Sequence, residues 1–285
     1  MDFGRMPQVD GVDFSLPPDD PRLGTVLPGA PAPLQVWTGC PVIAVHPAGQ
    51  ARAKPAEPMR AYAGWFPALE LNSSFYAVPA LSQVDRWCAQ VPPSFRFCVK
   101  VPRSISLGDP AEIPALAAAA DAFGPLLGTL FLQLPPAVGP DDHAALQALV
   151  HRFPAHLPLA IELRHPGWFW RRRLIGRAFE WMRQRGLHAV ITDTPGRRDV
   201  SHVSLTTPAL MLRLGTHGEN ASDLTRMAAW SERFAAWGAL GLHTVWAFVH
   251  QPESAGLFEL AQVFQRIADT KTGVAVKAAP RGPLV

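Results

Sequence analysis

Residues 129–164 read TLFLQLPPAVGPDDHAALQALVHRFPAHLPLAIELR. The stretch opens on an apolar run, Thr129–Gln133, that ends in a polar residue. A Pro/Gly turn follows, then Asp141-Asp142 and an Ala/Leu-rich segment to Arg152 with apolar residues at helical spacing. A second turn leads into another apolar run, Leu159–Arg164. This is strand, helix, strand, and such a unit occupies about 30 residues per step. The pattern continues in both directions. Further apolar runs lie at Leu34–Thr38, Leu69–Asn72, Arg96–Lys100, Ala189–Asp193, Ala209–Leu214 and Thr244–His250, making eight in all. Between them, Pro114–Ala122, Asp141–Arg152, Arg171–Arg185 and Ser222–Trp237 read as helices. Eight strand–helix alternations predict an α/β fold, a single (β/α)8 TIM-type barrel. The sixth and seventh runs end at 193 and 214, too close for a full helix between them. A loop or one turn is expected around Arg197–Thr207. The competing fold, an open doubly wound sheet, lacks its GxGxxG after the first strand.

Residues 1–33 carry seven prolines and little periodicity, and read as a mobile extension. Residues 34–270 form the barrel domain, and 271–285 a loose tail. With 48% hydrophobic and 17% charged residues in 285, the chain is not disordered, collagenous or a coiled coil. The net charge of +3 is too small to specify a partner. Three cysteines without CxxC spacing suit a reducing compartment. There is no secretory signal pattern and no apolar run long enough to span a bilayer. A cytoplasmic, monomeric protein is expected, with no membrane partner.

In such a barrel the active site lies at the carboxyl ends of the strands. Here those ends are polar: Glu70-Leu71-Asn72, Lys100, Gln133, Glu162-Leu163-Arg164-His165, Asp193, Arg213 and His250. Residues two apart share a strand face, so Glu70 pairs with Asn72 and Glu162 with Arg164. Buried charges must pair or meet a ligand. One reading is a self-compensating ion network plugging the barrel mouth. The other is a site for a small anionic or sugar-like molecule. In it Glu70, Lys100, Glu162 and Asp193 supply acid–base chemistry. Arg164 and Arg213 clamp an anion, and Asn72, Gln133, His165, His217 and His250 complete the pocket. Lys100 also admits imine chemistry, which needs a depressed pKa.

No cofactor is expected. The oxygen and nitrogen donors of Glu70, Glu162, Asp193 and His250 leave a divalent metal as an alternative, without HxH, HExxH or CxxC to support it. No GxSxG elbow supports a serine triad. Gly215-Thr216-His217-Gly218 lies where such barrels often bind phosphate, though a plain turn has the same composition. Phe75-Tyr76 and Trp168-Phe169-Trp170 can stack a ligand or cap the mouth. The arginines of 171–185 offer a different-class alternative, a nucleic-acid-binding barrel. A solvated outer helix face accounts for them equally well.

Several motifs resemble one family in order along the chain: Glu70-Leu-Asn-Ser-Ser-Phe-Tyr76, Phe95-Arg-Phe-Cys-Val-Lys100, Phe131-Leu-Gln-Leu-Pro-Pro136, Glu162-Leu-Arg-His-Pro-Gly-Trp-Phe169 and Ile191-Thr-Asp-Thr-Pro195. They are similar to the YecE-like proteins, domain of unknown function 72, over about residues 34–268. The resemblance implies a bacterial or archaeal TIM-type barrel and brings no assigned activity or catalytic residues. The family's shared polar positions match Glu70, Asn72, Lys100, Gln133, Glu162, Arg164, His165, Asp193 and Arg213. The chain departs at Thr38-Gly39-Cys40, where the family reads Gly-Thr-Ser-Gly-Trp. It also departs at Leu107, where a family His stands, and at His250-Gln251, where Asn-Asn is usual.

Overall fold

The computed structural model describes residues 4, 6, 8–31, 33–43, 57–217, 221–251 and 256–273. Its parallel strands begin with β1 (Gln35–Gly39), β2 (Ala68–Leu71), β3 (Arg96–Lys100), β4 (Leu127–Gln133) and β5 (Leu159–Glu162). A short antiparallel hairpin follows, β6 (Phe169–Trp170) with β7 (Arg173–Leu174). The parallel set resumes with β8 (His188–Asp193), β9 (Ala209–Gly215) and β10 (Thr244–His250). The eight parallel strands run in the order β1-β10-β9-β8-β5-β4-β3-β2, a nearly closed (β/α)8 barrel. Thus the expected fold class stands, and two strands, Arg96–Lys100 and Thr244–His250, coincide end for end with the sequence reading.

The helices are α1 (Pro58–Ala63), α2 (Leu81–Cys88), α3 (Arg103–Ser106), α4 (Ile113–Phe123), α5 (His143–His151), α6 (Gly176–Gln184), α7 (Ala221–Gly238) and α8 (Leu257–Thr272). Residues 194–208, between β8 and β9, carry no helix, as their length requires. The expected helix over Arg171–Arg185 begins only at Gly176. The aromatic run ahead of it prefers extended backbone and pairs as the hairpin. Arg171 and Arg172 form its turn with φ of 49° and 58°, left-handed values that cost about 1–2 kcal/mol each for a non-glycine residue. The Arg172 guanidinium offsets this by donating to the carbonyls of Ser201 and Ser15.

Period-two alternation divides every barrel strand. Leu69, Val99, Leu132, Ile161, Ile191, Leu212 and Val249 face the helices in one large core. Ala68, Cys98, Phe131, Ala160, Val190, Met211 and Phe248 fill the lumen. At the amino-terminal end Trp37 stacks on Trp246 at 6.5 Å, with His188 beside it, closing the floor.

Between β1 and β2 the ladder gives way to a side-chain seam. The Tyr62 hydroxyl of α1 accepts from the Cys40 N–H at 2.9 Å and donates to the Ala68 carbonyl at 2.8 Å. The strands approach closely because Gly39 has no side chain. A Cβ there would stand 2.0 Å from the Ala68 oxygen.

The proline-rich start of the chain was expected to be mobile, but its described residues 8–31 lie along the barrel between α6 and α7. There a barrel of this kind would carry the helix after its sixth strand. Asp20 is buried, bonding Arg22 and the Ser204 hydroxyl. Arg22 stacks on Phe179 of α6, and Asp19 bonds Arg233 and Trp237 of α7. Leu23 and Leu27 join the outer core. The segment fills the slot that the missing helix leaves. The expected tail lies outside the described residues beyond Gly273.

Gly39→Ala is expected to force β1 and β2 apart and to cost about 1–3 kcal/mol, read as a lowered denaturation midpoint with unchanged m-value.

Candidate functional site

The top layer of the lumen is built by the alternation that fills it. Above Ala68, Cys98, Phe131, Ala160, Val190, Met211 and Phe248, the next residue on the same face is Glu70, Lys100, Gln133, Glu162, Thr192, Arg213 and His250 respectively. Each strand thus turns from apolar to polar within one step.

Arg213 is the hub. Its Nε and Nη2 donate to the Glu70 carboxylate at 3.0 and 2.9 Å, and its Nη1 to Glu162 at 2.8 Å. All three side chains are buried. Glu70 also accepts from Asn72 at 2.9 Å and meets His250 Nε2 at 2.8 Å. Glu162 accepts from Gln133 and Thr192 at 2.8 Å and from Arg164 Nε at 2.6 Å. A carboxylate offers about four lone-pair sites, so both are filled. Burial alone would raise the Glu70 carboxyl, but Arg213 and His250 outweigh it and hold it well below the usual range. For Glu162 burial is likewise outweighed by Arg164 and Arg213. Burial pushes His250 down against the pull of Glu70. The sequence reading placed acid–base chemistry on Glu70 and Glu162. The geometry makes them the holders of Arg213, as in the ion-network reading.

Lys100 differs from its neighbours. Its Nζ lies 4.1 Å from the centre of the Phe75 ring, and none of the described residues accepts a hydrogen bond from it. Burial and the adjacent Arg213 charge bring its pKa down to about 8, against the pull of Glu70 and Glu162. Asn72 stands one register step beyond the paired Leu71 and Val99, beside Lys100. Its Oδ1 is buried and accepts no hydrogen bond among the described residues. With Arg164, the described residues of the mouth's inward layer place three cationic side chains beside two carboxylates when Lys100 is protonated.

Asp193 does not join this group. On β8 the lumen positions are His188, Val190 and Thr192, so Asp193 faces outward by strand parity. There it accepts from Arg226 at 3.2 Å and Trp230 at 2.6 Å, and pairs with Arg198. Burial raises its carboxyl, but Arg226 and Arg198 more than reverse this. Phe14 of the amino-terminal segment packs against both arginines. His165 is also turned away, its Nδ1 accepting from the Gly167 N–H at 3.0 Å to cap a short 3-10 turn.

In the supposed phosphate loop the Thr216 N–H donates to the His250 carbonyl and the His217 N–H to Asp223. Those two donors are therefore spent, and Gly218 lies outside the described residues. No group of three or more His, Cys, Asp and Glu side chains is gathered for a metal among the described residues.

The basic stretch proposed for nucleic acid is largely engaged. Arg172 and Arg173 bond the carbonyls of Ser15 and Asp19, Arg177 bonds that of Pro140, and Arg183 bonds Glu180. Sequence reading missed Thr192, Arg226 and Trp230. Strand parity identifies Thr192, while the helix partners of Asp193 depend on tertiary placement.

A TIM-type barrel with a polar layer at the carboxyl ends of its strands defines the class. The family model described as "Protein of unknown function DUF72" matches residues 37–284, and the chain belongs to that family. The UPF0759 protein YecE of Escherichia coli K12 is 26% identical over 222 residues, which is 70% of this chain and 81% of that protein. The UPF0759 protein YunF of Bacillus subtilis 168 is 28% identical over 124 residues, 39% of this chain and 44% of that one. The crystal structure of a DUF72 family protein from Enterococcus faecalis V583 superposes with a TM-score of 0.67 at 21% identity, covering 82% of this chain and 96% of that one. One from Thermotoga maritima MSB8 gives 0.62 at 17% identity, covering 82% and 99%. These likenesses show the fold. No described helix is long and apolar enough to cross a membrane.

Arg213→Met is expected to leave buried Glu70 without its guanidinium and Glu162 with Arg164 alone, at a cost of about 3–5 kcal/mol at neutral pH by denaturant titration. In the wild type both carboxyls sit below their usual value. Their contribution is full above about pH 4.5 and falls as pH drops towards the folded values. The gap between variant and wild type should therefore narrow on acidification.

Proposed function

We propose that this protein is an enzyme acting on a small anionic or sugar-like molecule at the carboxyl end of the barrel. The observation that carries the reading is Lys100, a half-buried ammonium with no carboxylate partner among the described residues. It stands in a layer whose two carboxylates are already filled by Arg213, Arg164, His250 and neutral donors. An anion entering the mouth would complete the charge balance. In this reading Lys100 and Arg164 attract the anionic group. Asn72 Oδ1 accepts from a ligand hydroxyl, and Gln133, anchored on Glu162, lines the mouth from the adjacent strand β4.

Acid–base work falls to Lys100 rather than to Glu70 or Glu162. A group titrating near 8 exchanges protons close to working pH, whereas a carboxylate held far below its usual value is a poor base. Glu70, Glu162 and Arg213 are positioning residues that keep the layer rigid, as the second shell of a preorganised site must.

The test is a thermal-shift titration with oxalate, inorganic phosphate and phosphorylated sugars. An anion at a hundred times its Kd should add about 2.7 kcal/mol, a rise of a few degrees for a chain of this size. Lys100→Met and Arg164→Met should each lose that rise while remaining folded by circular dichroism. No rise with any of these anions in the wild type overturns the reading.

A further inference from the structure

We propose that Lys100 is a nucleophile that forms an imine with an aldehyde or ketone carbonyl of an anionic substrate. The proposal rests on the anion-site reading above and adds the reaction and substrate class.

The case begins with placement. Lys100 ends β3, with its carbonyl fixed by the Ser74 hydroxyl at 2.7 Å, so the side chain starts from a rigid strand end. Among the described residues no carboxylate ties its amine, as one would tie a purely structural lysine in a charged layer. The charged groups facing it are Glu70 on β2, Glu162 and Arg164 on and after β5, and Arg213 on β9. Both carboxylates spend their lone pairs elsewhere, while the two guanidiniums oppose a further positive charge. Burial and these guanidiniums enlarge the share of neutral amine, and only neutral amine attacks a carbonyl. The Phe75 face covers the nitrogen from one side and stabilises the cationic iminium once formed. Asn72 Oδ1, buried and beside Lys100, can accept a hydrogen bond from the hydroxyl of the addition intermediate.

The step balances. The Nζ lone pair attacks the carbonyl carbon and a C–N bond forms. One N–H proton passes to the oxygen, giving a carbinolamine. The C–O bond then breaks and the oxygen departs as water with the second N–H proton, leaving the C=N bond. No oxidant or metal is required.

The experiment is reductive trapping of the full-length protein with glyoxylate and sodium cyanoborohydride at pH 7, followed by peptide mass mapping. The chain has only four lysines, Lys54, Lys100, Lys271 and Lys277. Lys271, bonded to Glu232 on the surface, is an internal reference. A lysine titrating near 8 carries on the order of 100-fold more free amine at pH 7 than one at the usual value. Lys100 should therefore label much faster than Lys271, with a rate that rises with pH and levels off near 8. Equal rates, or labelling of Lys271 alone, overturn the proposal.

Oxalate separates the two readings because it is anionic but lacks an aldehyde or ketone. An oxalate thermal shift without a Lys100 adduct refutes the imine and leaves the anion site standing. A fast Lys100 adduct that oxalate neither slows nor accompanies with a thermal shift keeps the nucleophile and removes the anionic substrate class. Lys100→Arg should abolish the adduct. If that variant does not fold, the rate comparison within the wild type decides.

Discussion

The mouth of this barrel depends on one guanidinium. Arg213 spans the lumen to grip Glu70 and Glu162, residues 143 and 51 positions away in sequence. Taking three charges out of water costs several kcal/mol each, and attraction offsets this only where geometry is good and every remaining lone pair is filled. Here it is. Asn72, His250, Gln133, Thr192 and Arg164 supply the missing partners, each from a different strand end or the next position along it. The network works as a ring clamp. It ties β2, β4, β5, β8, β9 and β10 together at the end where the ladder is about to yield to loops. Moving β2, β4, β5 or β9 by a register step would put a leucine or isoleucine in the ring, which fixes strand stagger as well as closure.

Closure between β1 and β2 uses a different device. Gly39 lets the backbones approach and the Tyr62 hydroxyl bridges them. The remaining gap in the architecture, the absent helix between β8 and β9, is filled from the far end of the sequence by residues 8–31. Asp20 and Arg22 enter that slot as a pre-formed pair, which carries charge into a half-buried place without leaving either partner alone. The same segment brings Phe14 over Arg198 and Arg226, so the outward network around Asp193 is shielded by the chain's own beginning.

Local pattern and long-range pairing separate what the sequence made legible from what it did not. Strands were legible because each is an apolar run with a polar end, a signal contained in four to seven residues. The inward set Glu70, Lys100, Gln133, Glu162, Arg213 and His250 followed from strand ends alone. Asp193 was misplaced because it was taken from a strand end without counting parity back through Ile191 and Ala189. The hairpin at 169–174 was hidden by an Arg-rich composition that suits a helix equally well. The amino-terminal segment was hidden because its partners, Ser204, Phe179, Arg233 and Trp237, lie more than 150 residues away, and proline content says nothing about them.

The division of labour among charges at the mouth has a chemical consequence. A carboxylate with four donors is a fixed electrostatic object: it can hold an arginine but cannot accept a substrate proton without breaking the ring that closes the barrel. Evolution of chemistry in such a layer is therefore confined to groups outside the ring. Lys100 meets that condition on the opposite logic, being close enough to Arg213 to feel its field and held against Phe75 instead of a carboxylate. Stability and reactivity are thus assigned to different side chains of one layer. The same guanidinium that binds the carboxylates into the scaffold adds to burial in bringing the neighbouring amine's pKa down to about 8.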